Sequence, residues 1–252
     1  MRNKKKITNN STPEKLSVII PVYNEELRFK QGFKICQRFI KKYPKWEFIF
    51  VNDGSKDKTR QLIEKLIKPW PQMRMISYAN NQGKGYALKQ GVRKASKPLV
   101  LICDIDFSTP LSEISLFQPF INKRADVVIG SRKTQGANII KPQSIWREYL
   151  GRQFTNLSKL WLGLNVSDVT CGFKLFKTPV AKRLFAKSRI KRWGYDAEIL
   201  FLAKKLGYQV VDVAVSWKND ERTKVSVGRD IVRSLTDLYL IRLNNFLGKY
   251  KL

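Results

Sequence analysis

The sequence predicts an α/β fold with a mostly parallel central sheet flanked by helices, and two observations support this prediction. Short apolar runs rich in Val, Ile and Phe alternate with longer amphipathic stretches through the first half of the chain. Runs without a polar face are typical of strands buried on both sides, and strand–helix alternation is typical of a doubly wound parallel sheet. The 252 residues, 43% of them hydrophobic, suffice for one such domain with a substantial core.

The predicted elements follow one another from Leu16. Strands are predicted at Leu16–Pro21, Trp46–Asn52, Met73–Tyr78, Pro98–Cys103 and Ala125–Gly130. Helices are predicted between them, near Glu25–Lys42, Lys58–Lys68, Gly85–Lys94 and Leu111–Ile121. The second half is less regular and shows helical spacing of apolar residues over 146–164. The other elements expected there are a helix near Asp196–Leu206, a strand at Gln209–Val215 and an amphipathic helix over Arg229–Leu247.

These elements divide the chain into three parts. Residues 1–15 are expected to form a basic flexible arm, residues 16–227 the main domain, and residues 228–252 a C-terminal amphipathic helix. Within the main domain, the regular half covers about 16–132 and the less regular half about 133–227.

Charge and composition restrict the classes of function. Lys and Arg number 49 against 20 Asp and Glu, a formal net charge of +29, so the chain is expected to attract nucleic acid, an acidic membrane surface or phosphorylated substrates. The absence of histidine excludes His-based triads and imidazole acid–base catalysis. Three cysteines without C-x-x-C spacing indicate a reducing compartment. No run approaches the ~18 apolar residues of a membrane span, and the basic start lacks the apolar stretch of a signal peptide, so we expect a cytosolic protein.

Two carboxylates, Asp104 and Asp106, follow the apolar strand that ends near Cys103. Because strand side chains alternate, both point the same way if the extended geometry continues through them. Burying two like charges together is costly unless a cation lies between them. Mg²⁺ and Mn²⁺ take such oxygen ligands and share them with a substrate's phosphates. The alternative is that one aspartate caps the next helix and the other is solvated.

Polar residues after the other strands are also candidates, because ligands collect at the carboxyl ends of parallel strands. Tyr23 and Glu25 are expected to hold a nucleoside, although Glu25 equally suits the first turn of a helix. Asp53 is expected to accept hydrogen bonds from a base or a ribose, although its Asp-Gly step is also a turn signal. Gly83 and Lys84 open a helix with backbone N–H groups and a charge suited to phosphate, a weak signal by itself.

Four ordered motifs resemble those of family 2 glycosyltransferases, which have the Rossmann-like GT-A fold. They are Val18–Glu25 (an apolar strand, then P-x-Y-N-E), Val51–Ser55 (V-N-D-G-S), Asn81–Ala87 (N-x-G-K-G-x-A) and Asp104–Asp106 (D-x-D). The resemblance implies that the first half binds a nucleotide sugar and that Asp104 and Asp106 bind Mg²⁺ or Mn²⁺. The residues with an implied part in donor binding are Pro21, Tyr23, Glu25, Asp53, Gly83, Lys84 and Asp104.

Motifs in the second half resemble the dolichyl-phosphate glucosyltransferase and polyprenyl-phosphate glycosyltransferase branch. They are Gly130–Arg132, Asp168–Phe176, Arg192–Glu198 and Val215–Lys218, followed by Ser226 and Asp237–Arg242. The branch implies transfer of glucose from UDP-glucose to a polyprenyl or dolichyl phosphate with inversion to a β-linked product; GDP-mannose is the alternative donor. Besides Asp106, the residues with implied catalytic or acceptor-binding roles are Arg132, Asp196, Glu198, Lys224, Ser226 and Arg229.

The implied reaction suits a chain without histidine. A lipid phosphate is already an anionic nucleophile near neutral pH, so it needs cationic positioning more than a strong base. Arg132 is the first candidate for that positioning, ahead of Lys224 and Arg229. Buried carboxylates that organise a loop would explain Asp196 and Glu198 equally well.

Other classes of function stay open. A nucleic-acid-binding protein would be equally basic, but the sequence has no recognition motif and its acidic residues lie where nucleic acid would be repelled. A soluble transferase acting on a protein or glycan would prefer a catalytic base. A processive polysaccharide synthase would need Q-x-x-R-W, and the position of that Gln is Arg189.

The apolar stripe from Trp146 to Leu164 has two interpretations. Such helices are usually core. Alternatively, its tryptophans and flanking basic residues seat it in an anionic membrane, where each basic residue contributes on the order of 1 kcal/mol. In that case the protein lies on the cytosolic face of a membrane, with or without a separate membrane-protein partner.

Overall fold

The computed structural model describes residues 12–220, 222 and 227–251, and only the backbone of residues 227–232. The strands are β1 (Leu16–Val22), β2 (Glu47–Asp53), β3 (Met73–Tyr78), β4 (Leu99–Ile102), β5 (Val127–Ser131), β6 (Asn138–Lys141), β7 (Lys174–Lys177), β8 (Val210–Ala214) and β9 (Ser216–Lys218). The helices are α1 (Glu26–Lys42), α2 (Thr59–Ile67), α3 (Lys84–Lys94), α4 (Ile114–Lys123), α5 (Ile145–Leu162), α6 (Thr178–Lys187), α7 (Tyr195–Lys205) and α8 (Val227–Phe246).

Seven strands form one sheet in the order β3-β2-β1-β4-β7-β5-β8, and β6 pairs with β9 in a small second sheet. The pairs β1–β2, β2–β3, β1–β4 and β5–β8 are parallel. The mostly parallel sheet predicted from the sequence is therefore confirmed. Every strand and helix predicted between residues 16 and 130 is present, with ends within three residues of the expected ones.

The strand β7 is the one member of the large sheet that the sequence did not predict. It comes from the second half of the chain and lies antiparallel between β4 and β5 of the first half. Its four residues begin and end with lysine, and Lys174 is 1% exposed. Because the chain buries a charged side chain here, the apolar run that marks the other central strands is missing.

The core consists of two layers, one on each face of the sheet. Val18 and Ile20 of β1 pack with α1, α2 and α4, whereas Ile19 between them packs with α3, α6 and α7. This alternation is the period of two expected of a strand buried on both sides. β1 is thus covered on both faces by helices.

The stripe over residues 146–164 forms α5 as far as Leu162, and most of its large apolar side chains stay outside the core, although Leu164 is buried there and Phe154 packs against it. The buried positions of α5 are Thr155, Ser158 and Leu162, while Trp146 is 75% and Leu160 83% exposed. The core interpretation of this stripe is therefore wrong for most of its length. The small residues on its inner face allow α5 to lie close to the domain, with the bulky ones turned outward.

The predicted arm falls partly outside the described residues. Within it, Thr12 Oγ1 accepts a hydrogen bond from Tyr43 and the carbonyl of Pro13 accepts one from the Trp46 indole at 2.8 Å. Lys45 pairs with Glu14. The arm's boundary at residue 15 and the other domain boundaries stay predictions.

Candidate active site

The carboxyl ends of β2, β1 and β4 meet at one edge of the sheet, because these three strands are parallel neighbours. The segments that follow them carry Glu25, Asp53, Asp104 and Asp106. Pro21 is paired with Val51 inside the sheet, and the partly exposed Tyr23 lies just beyond it. Topology therefore brings the donor-side residues expected from the sequence to one edge.

Asp104 and Asp106 lie in a tight turn, so the extended geometry assumed for them does not continue. β4 ends at Ile102, the N–H of Phe107 donates to the carbonyl of Asp104 at 3.1 Å, and Phe107 has φ 47°. The two carboxylates still act on each other, since burial first and the charge of Asp104 second raise the pKa of Asp106. The two carboxylates are therefore brought close together by a turn and not, as expected, by the alternation of side chains along a strand.

Each of these two carboxylates contacts a different cationic side chain. Lys84 Nζ lies 2.7 Å from Asp104 Oδ1, and Arg28 Nη1 lies 3.4 Å from Asp106 Oδ2. The Arg28 guanidinium also makes two hydrogen bonds to Glu25, at 2.5 and 2.6 Å. Its Nη1 is 3.9 Å from Asp220 Oδ2 as well. Glu25, predicted to face the nucleoside, is thus occupied by Arg28.

The donor set of this turn fits a hard divalent cation. Asp104 keeps 41% of its side chain exposed. Burial, and after it the charge of Asp104, raises the pKa of Asp106, and a cation bound by both carboxylates would offset both effects. Among the described residues no group of three or more acidic, cysteine or histidine side chains forms a complete cage. Mg²⁺ and Mn²⁺ need none, because they bind through one or two carboxylates plus a substrate's phosphates.

Asp53 holds the loop before α3. Its buried carboxylate accepts hydrogen bonds from Asn81 Nδ2 at 2.8 Å and from the backbone N–H groups of Gln82 and Gly83 at 2.8 and 2.9 Å. The N–H of Tyr86 donates to the carbonyl of Lys191. The N–H groups of Gln82, Gly83 and Tyr86 are therefore already bonded. The phosphate-binding role expected of Gly83 and Lys84 stays a prediction, and the charge of Lys84 is the feature of this loop that suits a phosphate.

Arg132 anchors a second cluster, at the end of β5. Its guanidinium bonds Asp168 at 2.7 and 2.9 Å and Thr170 Oγ1 at 2.9 Å, and it lies 5.4 Å from the centre of the Trp217 ring. Burial acts to raise the pKa of Asp168, but the charge and hydrogen bonds of Arg132 outweigh it and hold that pKa well below its ordinary value. The pair is consequently ionised and fixed in place.

A cavity of about 150 Å³ opens beside Arg132. Its walls include Arg132, Thr170, Trp217, Ile139 and Arg147. The volume is several times the ~30 Å³ of one water molecule. Three basic residues, Arg132, Lys133 and Arg147, outnumber the one acidic residue of the lining, Glu148, and Ile139, Pro142 and Trp217 add apolar surface. This combination suits an anionic headgroup carried on a hydrocarbon chain.

Asp196 and Glu198 lie at the start of α7 and are both buried. Asp196 pairs with the buried Lys174, whose Nζ also donates to the carbonyls of Val169 and Cys171. Burial acts to lower the pKa of Lys84 and of Arg132, and the charge of Asp196 is among the contributions that raise both, so Asp196 is electrostatically coupled to both clusters.

Glu198 is 0% exposed and holds a loop. Its carboxylate accepts hydrogen bonds from the backbone N–H groups of Arg189 and Ile190 at 2.9 Å and from the Tyr250 hydroxyl. Burial raises its pKa. These contacts give Glu198 a structural task, and its catalytic role stays a prediction.

Some functional candidates were missed from the sequence, and some predicted ones lie outside the described residues. Arg28, Asp168 and Asp220 belong to the two clusters. The three-residue step from Glu25 to Arg28 was a signal of an ordinary helix pair, and Asp168 opens the motif Asp168–Phe176 but was given no role. The others come from distant positions along the chain. Lys224 and Ser226 lie outside the described residues, as does the side chain of Arg229.

Comparison with known proteins decides the family. The sequence model of the family described as glycosyl transferase family 2 matches residues 17–185 of this chain. The chain belongs to this family. It is 30% identical to a dolichyl-phosphate beta-glucosyltransferase of Dictyostelium discoideum over 94% of its own length and 76% of that protein. It is 29% identical to the Homo sapiens protein of the same name over 96% of its length and 79% of that protein.

A solved structure shares the fold at low identity. It is glucosyl-3-phosphoglycerate synthase from Mycobacterium tuberculosis in complex with Mn²⁺, UDP-glucose and phosphoglyceric acid, with a TM-score of 0.64 and 16% identity over 90% of this chain and 79% of that one. The GT-A fold expected from the motifs is confirmed. As a member of this family, the chain described here is a nucleotide-sugar glycosyltransferase.

Proposed function

We propose that the protein transfers glucose from UDP-glucose to a polyprenyl or dolichyl phosphate and gives a β-linked lipid-phosphate sugar. The supporting observation is the adjacency of two unlike clusters: a carboxylate pair at Asp104 and Asp106, and a mainly basic, partly apolar cavity beside Arg132. Gly172 lies against Asp104 and Lys84, and Thr170, two residues before it, accepts a hydrogen bond from Arg132. Asp196 links them electrostatically. The names of the relatives agree with a lipid-phosphate acceptor.

The donor side needs charge compensation. Asp104 and Asp106 would hold Mg²⁺ or Mn²⁺, which supplies Lewis-acid stabilisation of the charge on the departing diphosphate. Asp53 keeps the loop of Gly83 in place, and Lys84 adds a positive charge to the same edge. Tyr23 and Pro21 lie beside the space that the nucleoside would take.

On the acceptor side, we assign Arg132 the task of positioning the lipid phosphate. The bidentate bond to Asp168 fixes the guanidinium, and Thr170 and Trp217 hold it from two further directions. An anionic phosphate held this way attacks without prior loss of a proton, so the reaction proceeds without a strong base. Attack from the face opposite the diphosphate inverts the anomeric carbon.

The protein would take its lipid from a bilayer. We call the side of the protein that would face the bilayer the membrane surface, and define it as the outer faces of β6, α5 and α8. Its exposed apolar members are Ile139, Ile140, Ile145, Trp146, Tyr149, Leu157, Leu160, Trp161, Leu235, Tyr239, Leu240, Phe246 and Leu247. Basic residues of α5 such as Arg147 and Arg152 lie among them. In the described residues no helix is both long and apolar enough to cross a bilayer.

The test is a donor panel. The full chain is incubated with Mn²⁺ or Mg²⁺, polyprenyl phosphate and radiolabelled UDP-glucose, GDP-mannose, UDP-galactose or UDP-N-acetylglucosamine, and the lipid phase is extracted. Label from UDP-glucose alone in the lipid phase supports the proposal. Label from GDP-mannose instead identifies a mannosyltransferase, and no lipid label combined with salt-sensitive RNA binding overturns the proposed function.

A further inference from the structure

Two cations contact the metal-binding carboxylates, but they are held very differently. The Arg28 guanidinium is fixed by two hydrogen bonds to Glu25 and is 11% exposed, so it keeps its place if Asp106 takes another partner. Lys84 has one carboxylate contact within the described residues, the 2.7 Å pair with Asp104.

The surroundings of Lys84 give its ammonium an alternative to Asp104. Its Nζ lies 5.4 Å from the centre of the Trp193 ring and 6.0 Å from that of Tyr195, both within reach of a cation–π contact. On another side the backbone closes in: a Cβ atom added at Gly172 would lie 2.6 Å from Asp104 Oδ2 and 3.6 Å from Lys84 Nζ. The ammonium can therefore leave Asp104 along the aromatic side and stay at the site.

We propose that Lys84 is an exchangeable counter-ion, which neutralises Asp104 before substrates arrive and pairs with the donor's diphosphate once a divalent cation binds Asp104. Exchange of this kind gives Asp104 a positive partner both before and after the divalent cation binds, and gives the incoming diphosphate one as well. Lys84 is then a binding residue whose partner changes. The inference rests on the proposed nucleotide-sugar chemistry of the same site.

Exchange predicts opposite effects on two affinities. Without nucleotide, Lys84 competes with the metal for Asp104, so its removal tightens metal binding; with metal in place Lys84 holds the diphosphate, so its removal weakens nucleotide binding. A fixed structural ion pair predicts no loss of nucleotide affinity.

The experiment compares four proteins: wild type, Lys84→Met, Lys84→Arg and Lys191→Met. Lys191 is the matched control because its Nζ lies on the same edge, 3.3 Å from Gln82 Oε1 and 5.7 Å from the centre of the Tyr86 ring, instead of on a carboxylate. Free Mn²⁺ is measured by electron paramagnetic resonance during titration without nucleotide. UDP binding is then measured by calorimetry at saturating Mn²⁺.

We expect Lys84→Met to bind Mn²⁺ alone about fivefold more tightly than wild type and UDP about tenfold more weakly, a coupling within the usual allosteric range. Lys191→Met should change either affinity by no more than about twofold, since it removes one charge at the same edge without freeing Asp104. Lys84→Arg keeps the charge and should stay within about threefold of wild type in both measurements.

Either of two results would overturn the proposed exchange of Lys84 and leave the proposed function standing. One is Mn²⁺ affinity in Lys84→Met no higher than in Lys191→Met, and the other is UDP affinity in Lys84→Met equal to that of wild type. If the wild type binds neither Mn²⁺ nor UDP, the proposed function fails and this inference fails with it. Thermal unfolding of each variant confirms that it is folded, which is expected because Asp104 is 41% exposed and remains solvated without Lys84.

Discussion

The donor edge and the acceptor region use the same residue types in opposite ways. At the donor edge, Asp104 is 41% exposed and Asp106 has its cation 3.4 Å away. In the acceptor region, Asp168 and Glu198 are 0% exposed, and each accepts several hydrogen bonds. Asp104 and Asp106 can accept another partner, whereas Asp168 and Glu198 already have theirs.

The two regions also differ in what they leave uncovered. The donor edge leaves the carboxylate of Asp104 partly exposed beside Lys84. In the acceptor region the carboxylates of Asp168 and Glu198 are buried and hydrogen-bonded, and apolar side chains are exposed instead, with Trp146 75% and Leu160 83% exposed on α5. The uncovered groups match the ligands in the proposed function: a cation and a phosphorylated nucleotide at the donor edge, and a lipid in the acceptor region. Exposure and hydrogen-bond saturation, more than residue type, separate binding carboxylates from positioning ones.

The largest expected effect tests the donor side of this comparison. Asp106→Asn keeps the shape of the side chain and removes the charge, so transfer of glucose to lipid should fall about 10³-fold because stabilisation of the leaving diphosphate is lost. The lipid-extraction assay at saturating Mn²⁺ measures it. Stability should not fall, because burial and Asp104 already disfavour the ionised form of Asp106.

The control for this variant is Asp220→Asn. Asp220 lies 3.9 Å from the same Arg28 but outside the turn of Asp104 and Asp106. Its loss should lower the rate by no more than about fivefold, as expected for a distant, partly screened charge. Equal losses in the two variants would mean that any carboxylate near Arg28 serves, and the special position of Asp106 would be refuted.

The second prediction tests whether acceptor-side carboxylates are positioning groups. Asp168→Asn leaves the guanidinium of Arg132 without its ion-pair partner, so the free energy of unfolding should fall by about 3 kcal/mol at pH 7. Urea denaturation measures it. Glu148→Gln, which removes an exposed i,i+4 pair with Arg152, is the control and should cost at most about 0.5 kcal/mol.

This loss should depend on pH with a definite sign. Arg132 holds the pKa of Asp168 below its unfolded value of about 3.9. The ionised pair therefore contributes fully above that unfolded pKa, and its contribution is lost as the pH falls toward the folded pKa. The gap between wild type and Asp168→Asn should be constant from pH 5 to 7, roughly, and narrow below about pH 4. A gap that widened in acid would contradict the ion-pair account.

The sequence predicted the donor edge better than the acceptor region, and the reason is physical. Donor residues follow parallel apolar strands, and parallel neighbours bring their carboxyl ends together whatever the loops do. The exact turn at Asp104 was not predictable because it depends on the positive φ of Phe107, a non-glycine residue. The role of Asp53 as a loop holder was hidden for a similar reason, since its partners come from residues 81–83.

The acceptor region depends on contacts that no local pattern records. Lys174 is buried within a strand because Asp196 lies against it, and the two are 22 residues apart. Arg132 and Asp168 are 36 residues apart. The apolar stripe of α5 shows the same limit: its spacing predicted a helix correctly, but helical spacing alone does not distinguish a face turned to the core from one turned outward. The positions of the small residues distinguish the two faces, because Thr155 and Ser158 are buried on the inner face of α5.

The smallest expected effect tests the hydrocarbon side of the comparison, with two leucines of nearly equal exposure. Leu160 on α5 is 83% exposed within the membrane surface, and Leu27 on α1 is 81% exposed outside it. Leu160→Ser should lower binding to sedimented vesicles of phosphatidylserine and phosphatidylcholine about tenfold, since burying one leucine contributes on the order of 1.5 kcal/mol or more. Leu27→Ser should change vesicle binding by less than about twofold, because a side chain that stays in water in both the free and the bound state contributes nothing.

Transfer from UDP-glucose to a short, water-soluble polyprenyl phosphate should be the same in both variants, which separates membrane contact from catalysis. Equal vesicle binding by the two variants would show that exposure alone governs adhesion, and α5 would lose its assignment as the membrane side of the molecule.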